Sequence, residues 1–353
     1  MSNPKLTVLM PVYNAASFLR DAIESILQQT FRDFEFLIVD DGSIDESIAI
    51  IQSYKDSRIR LIKNDTNVGI AATLNRGIEA AACELIARMD ADDISYPTRL
   101  QKQYDYMMLN PSCALLSTAC RIVSAAGKHV RLERYTSRFF YYDLTFECWI
   151  YHPTVMFRKA AVKDVGMYSK PYSEDYDLFW KLAQKFPIAN LREILLDYRL
   201  SPNSLNTVLH KKEYDLANRE NVIRNIQRYM GQDYTLPEEY LECLRHHTAP
   251  IAALNSIPKI IECLDKLDEI TELIIQSPNV NRNQKDIMEA AWFKRDFIIY
   301  QLFQELRWPY NLLLLIKTRK LNHIARKVGN ALRWRLKNIK HYFSLSNNKV
   351  NLV

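Results

Sequence analysis

The stretches LTVLMPVYN (residues 6–14) and FEFLIVDDGS (residues 34–43) decide the fold. Each is an apolar burst of strand length, Leu6 to Met10 and Phe34 to Val39, that runs directly into polar residues. Ile59 to Lys63 and Leu85 to Met89 are two more bursts of the same kind. Between them apolar residues recur at helical spacing: Ala22, Ile23, Ile26 and Leu27, then Ile48, Ile51 and Tyr54, then Leu74, Ile78 and Ala81. Asp45 is placed to cap the second of these helices. Strands that alternate with helices predict βαβ units, hence an α/β fold with a mostly parallel central sheet. Ligands of such sheets bind beyond the carboxyl ends of the strands, so the polar residues that follow each burst are the ones to inspect.

From about Lys211 the pattern changes. Ile260, Leu264, Leu267 and Ile274 are spaced as on helices, and Thr235 before Pro237, Glu238 and Glu239 reads as a helix start. No strand alternation is visible there. The expected division is a catalytic domain over 1–208, an α-helical domain over 209–305 and a basic tail over 306–353.

Composition narrows the class. Of the 353 residues, 48% are hydrophobic and 25% charged, which is globular rather than disordered. No apolar run approaches the roughly 20 residues of a membrane span, and the N-terminus lacks the form of a signal peptide. A cytoplasmic location is expected. The six cysteines include no C-x-x-C pair and read as small core residues in a reducing compartment. The formal charge of +6 conceals an asymmetry: from Leu306 onward there are eleven Lys/Arg and no acid, which leaves the remainder at −5.

The strand ends carry the chemistry. The first gives Pro11 to Asn14, the second Asp40-Asp41-Gly42-Ser43, and the fourth Asp90-Ala91-Asp92-Asp93. Three carboxylates within four residues repel one another and require a cation or hydrogen-bond donors. A D-x-D arrangement offers oxygen ligands to one divalent ion, and Mg²⁺ or Mn²⁺ bound to phosphate oxygens suits it. The plain alternative is an exposed acidic turn before Tyr96-Pro97. Further on, His152-Pro153-Thr154 precedes an apolar run, and Glu174-Asp175 opens an amphipathic helix, where the helix dipole alone would favour acids.

Taken in order, MPVYN, VDDGS, NVG with LNRG, MDADD, HPT and SEDYDL closely resemble an inverting family 2 glycosyltransferase of the GT-A type, over about residues 5 to 205. The resemblance implies a nucleotide-sugar donor and a divalent metal. Pro11 and Tyr13 would line base and ribose, and Asp41 would accept a hydrogen bond from uracil, with Asp40 supporting its loop. Asn67, Gly69 and Asn75 match the family's loop and helix beside the nucleotide. Asp92 would bind the metal directly, and Asp90 would contact ribose or assist at the metal. Asp175 would be the catalytic base beside Glu174, and Tyr198 and Arg199 would lie near the diphosphate. Leu74 stands where many members have arginine, and Asp93 adds a third carboxylate. His152 and Trp149 fall on the presumed acceptor side.

A carboxylate base without a second nucleophile means one displacement and inversion at the anomeric carbon. Neither GxxxxGK(S/T) nor GxGxxG occurs, so P-loop and dinucleotide enzymes are excluded by their missing phosphate cradle. A nucleotidyltransferase shares acidic strand ends but favours a Gly/Lys-rich first loop, absent between Pro11 and Ala16. A nucleic-acid-binding or scaffold protein would use the basic tail, yet the body is acidic. No nucleic-acid partner is expected. From Leu321 to Phe343 apolar residues recur every three or four positions, with Arg326, Lys327, Arg333, Lys337 and Lys340 mostly off that stripe. Such a tail is expected to lie on an anionic membrane, peripherally on the cytoplasmic face of the plasma membrane, near a glycan or lipid-linked acceptor.

Overall fold

A computed structural model describes residues 4–201 and 210–319. The chain divides into two compact units, residues 1–235 with 270–290, and residues 236–269 with 291–353. The amphipathic stripe from Leu321 to Phe343 lies outside the described residues.

The first unit begins with the expected alternation: β1 (Leu6–Val12), α1 (Ala16–Leu27), β2 (Phe34–Asp40), α2 (Ser47–Ser53), β3 (Ile59–Lys63), α3 (Ile70–Ala80) and β4 (Leu85–Arg88). Every residue of β1 and β2 is buried. Strands covered on both faces have no exposed side to make polar, which is why these two are almost continuously apolar. Apart from Asp40 at the end of β2, the exceptions pair with each other, Thr7 donating to Glu35 at 2.7 Å. β1 runs parallel to both β2 and β4, and β2 parallel to β3, in the order β3-β2-β1-β4. The order reverses at β1, so the carboxyl ends of β1, β2 and β4 share one edge.

The rest of the first unit comprises β5 (Ile94–Ser95), α4 (Arg99–Leu109), β6 (Leu115–Ser124), β7 (His129–Glu133), α5 (Phe140–Asp143), β8 (Met156–Arg158), α6 (Lys159–Asp164), α7 (Glu174–Lys185), β9 (Ile188–Leu200) and α8 (Lys211–Met230). β8 enters antiparallel between β4 and β6, and β9 runs parallel to β6, which completes a nine-stranded mixed sheet. α8 groups with the sheet, whereas the sequence-based boundary sets it in the helical region. Its asparagines explain the difference: Asn221 and Asn225 are fully buried and bond to Ser173 and Leu144 of this unit.

Among the described residues no strand follows β9. α9 (Glu238–Leu244), α10 (Ala249–Ala253), α11 (Ile257–Gln276), α12 (Gln284–Glu305) and α13 (Tyr310–Lys317) form the helical C-terminal region. Ile260, Leu264, Leu267 and Ile274, the stripe read from the sequence, are all fully buried. All six thiols are free, and all but Cys148 are buried. No helix among the described residues is long and apolar enough to cross a membrane.

Candidate active site

The first two strand ends are tied into one platform. Asn14, at φ 49°, donates its N–H to Ser43 Oγ at 3.0 Å, and its side chain accepts from Ile44 N–H at 2.9 Å. Asp45 lies one residue before the cap position of α2, which is Glu46, and accepts from Ser47 N–H of α2 and Ala16 N–H of α1, both at 3.0 Å. Pro11 is buried, while Tyr13 is 47% exposed above the strand ends.

Asp40 is fully buried; one oxygen accepts from Ser43 N–H at 3.1 Å and the other has no protein partner. Asp41 braces the next loop itself. It accepts from Asn64 Nδ2 at 2.7 Å, Val68 N–H at 2.9 Å and Gly69 N–H at 3.0 Å. Asn67 also accepts from Gly69 N–H, at 3.1 Å, and is exposed. The loop passes so near that a Cβ on Gly42 would meet Thr66 C at 2.8 Å, and Gly42 has φ 73°. Only glycine serves there. On α3, Asn75 is occupied by both backbone groups of Tyr168, donating to its carbonyl at 2.8 Å and accepting its N–H at 3.1 Å. Leu74 points into the core with no exposure.

At the end of β4, Asp90, Asp92 and Asp93 present ligand oxygens within 4.8 Å of one another. Asp93 is buried; Arg199 N–H satisfies one oxygen at 2.8 Å, and the other is without a partner. Burial and then the charge of Asp90 push the Asp92 carboxyl up to about 7, and burial raises Asp93 further. An all-oxygen donor set with an orphaned carboxylate oxygen fits Mg²⁺ or Mn²⁺. Arg199 sits beside this turn in β9, and its side chain donates to the carbonyls of Asp92 at 2.8 Å and Ala125 at 2.9 Å. It therefore holds the acidic turn in shape.

Arg88 is a site residue that the sequence did not reveal. It is 3% exposed, in the strand that leads to the acidic turn, and it pairs with Asp90. Burial opposes its charge, and Asp90, Tyr168 and Asp93 together more than offset that. The only signal was one basic residue in an otherwise apolar strand, at the second position before Asp90.

Glu174 and Asp175 open α7, after Ser173 in the left-handed region at φ 53°. Asp175 is half-buried and accepts from Tyr176 N–H at 2.8 Å. Its carboxyl is raised chiefly by burial. Glu174 is 4% exposed, and burial followed by the charge of Asp175 pushes it up to about 8. Nearby Asp177 is held instead by Arg224, Lys181 and Ser169, and these partners keep its carboxyl low despite burial. A carboxylate with raised pKa is the better base, so Asp175 and not Asp177 is suited to take a proton.

Of the two acceptor-side expectations, His152 is buried and Trp149 half-buried. His152 is buried, with Nε2 at 2.7 Å from Tyr168 Oη and Nδ1 at 3.8 Å from Glu174. Burial and then Arg88 hold its imidazole well below the usual range, hence neutral. Trp149 lies against Tyr135, ring centroids 5.1 Å apart. Tyr198 packs edge-on against Tyr151 at 5.1 Å.

Parallel strands with carboxylates at one shared edge, and an acidic pair heading a helix of the same unit, fit a glycosyltransferase of the GT-A type. Residues 7–166 match the model of glycosyl transferase family 2. The uncharacterized glycosyltransferase MJ1057 of Methanocaldococcus jannaschii is 33% identical over 251 residues, 66% of this chain and 84% of that protein. The O-antigen biosynthesis glycosyltransferase WbnJ of Escherichia coli is 32% identical over 209 residues, 56% and 81% of the two chains. In fold, the chain is similar to S. aureus TarS 1–349, solved in complex with UDP-GlcNAc, with a TM-score of 0.54 at 16% identity over 86% of this chain and 93% of that one. The chain belongs to glycosyl transferase family 2 and is a glycosyltransferase.

Proposed function

We propose that this chain is an inverting, metal-dependent glycosyltransferase that moves a sugar from UDP to an acceptor hydroxyl in the biosynthesis of a cell-surface polysaccharide or glycolipid. The observation that carries the reading is the oxygen-only cluster of Asp90, Asp92 and Asp93 at a parallel strand end. The O-antigen assignment of WbnJ supports the acceptor class. Catalysis falls within residues 1–208, the helical segment 209–305 follows, and the tail 306–353 meets the membrane.

Pro11 and Tyr13 line the nucleotide, and Asp41 receives the base through an oxygen left with a spare lone pair. Asn67, Gly69 and Asn75 shape the wall beside it. Asp92, with Asp90, holds Mn²⁺ or Mg²⁺, which when bound offsets charge on the departing diphosphate. Arg199 keeps the acidic turn in place. The acceptor oxygen attacks the anomeric carbon opposite the diphosphate, its proton passes to Asp175, and the breaking C–O bond leaves its electron pair on the diphosphate. Glu174, protonated near neutral pH, leaves Asp175 as the single charge of the pair. His152, itself fixed by Tyr168, lies beside Glu174 as a neutral neighbour.

Asp92→Ala is expected to remove the Mn²⁺-dependent part of UDP binding measured by calorimetry, because no other carboxylate can replace a bridging ligand. Undiminished metal-dependent affinity in the variant would refute the assignment.

A further inference from the structure

α8 presents one stripe to the head of α7. Residues 214, 218, 221 and 225 follow one another at steps of four, three and four, which places them on one helix face. Ser173 Oγ donates to Asn218 at 2.6 Å, and Asn221 Nδ2 donates to the Ser173 carbonyl at 3.2 Å and hydroxyl at 3.1 Å. The same face therefore grips the residue before Glu174 and Asp175. Tyr214, one turn nearer the start of α8, continues that face and meets Tyr172 edge-on, ring centroids 5.3 Å apart. His210 is tilted against Tyr172 as well, ring centroids 5.5 Å apart. Neither tyrosine hydroxyl has a hydrogen-bond partner among the described residues, and both rings are half-buried. Burial, then the charges of Glu174, Asp175 and Asp90, raise the Tyr214 phenol, so it stays a neutral O–H donor.

We infer that Tyr172 and Tyr214 form the wall on which the acceptor sugar stacks, with its reacting hydroxyl turned to Asp175. This rests on Asp175 being the base. A pyranoside has apolar C–H faces and a rim of hydroxyls, and a tyrosine pair beside carboxylates matches both: ring faces for the former, the Tyr214 O–H and the acids for the latter. The acceptor wall then comes in part from a helix that sequence patterning assigns to the C-terminal region.

The test uses the full chain with UDP and Mn²⁺ and three probes: methyl β-D-glucopyranoside, methyl β-D-galactopyranoside and methyl N-acetyl-β-D-glucosaminide. Saturation-transfer NMR should show ring-proton contact with at least one probe. Tyr214→Ala and Tyr172→Ala should weaken that probe's binding at least tenfold, and Tyr214→Phe should retain most of it. Tyr214→Leu fills the space without an aromatic face and should behave as the alanine variant does, which guards against a variant that fails to fold. UDP affinity by calorimetry should not change. No contact by any probe with wild type, binding retained by the leucine variant, or UDP affinity lost in step would each overturn the wall. Loss of UDP binding by wild type itself would instead refute the donor reading and leave a separate signature.

Discussion

Glu174 and Asp175 differ by one backbone step and do different work. Both are drawn out of water, and two adjacent carboxylates in one buried place cannot both ionise easily. With Glu174 pushed up to about 8 from an ordinary 4.5, the folded protein holds a proton across that window that the unfolded chain has released. Stability must then fall as pH rises through the window. Glu174→Gln, which cannot ionise, should melt higher than wild type at about pH 9 and show little difference at about pH 4. Equal melting temperatures at both ends would show that Glu174 is not held protonated. Asp175→Asn keeps the shape and removes basicity, so turnover should drop by about 10²-fold or more while UDP affinity stays the same. Near wild-type turnover would place the base elsewhere. This pair was readable in SEDYDL because acids at a helix start are conspicuous. Arg88 was not, since a single arginine in a strand gives no sign that it is buried against Asp90.

At the scale of elements, Asp41 is the fastening of the loop between β3 and α3. Asp41→Ala would leave Val68 N–H without its acceptor and take one of two acceptors from Asn64 Nδ2, which keeps Thr73, and from Gly69 N–H, which keeps Asn67. A buried donor left unpaired costs about 1–3 kcal/mol, and a part-exposed one less. The variant should therefore lower the melting temperature and weaken UDP binding together, as seen by differential scanning fluorimetry and calorimetry. Retained stability would mean that the loop is held by Asn67 and its own backbone. β1, β2 and β4 were legible because each is a buried run that ends in a polar motif, and β3 as a short apolar burst between two helical stretches. The far half of the sheet was not. β9 mixes Arg192, Glu193 and Asp197 with its apolar residues and pairs with β6 across register shifts, so no clean period survives. α8 was legible as a helix but not as a part of the catalytic unit. Its buried face is built from asparagines, and asparagine reads as solvent-facing until its partners in α7 and α5's loop are known.

At the scale of the whole molecule the charge is uneven: an acidic body precedes a tail of eleven cations without an acid. Most of those cations lie outside the described residues, but the approach to them is described. Trp308, two residues before α13, is 79% exposed, and Leu312, Leu313 and Ile316 are exposed along the helix. Arg307, Lys317 and Arg319 flank them. Exposed apolar side chains rimmed by cations suit the interface of an anionic bilayer, where tryptophan is also favoured. Each Lys or Arg near such a surface contributes up to about 1 kcal/mol, and added salt screens that attraction. The full chain should co-sediment with vesicles containing phosphatidylglycerol at low salt, leave them as salt rises, and ignore vesicles of phosphatidylcholine alone. Replacing Arg326, Lys327 and Arg333 by glutamine should weaken binding by about fivefold per charge, since about 1 kcal/mol is roughly that factor. Leu312→Glu with Ile316→Glu should remove the part that survives high salt, because only inserted apolar surface is insensitive to screening. Sedimentation that ignores both the lipid charge and these substitutions would mean that the tail serves the protein's own packing, and the acceptor would then have to reach the site without help from the membrane.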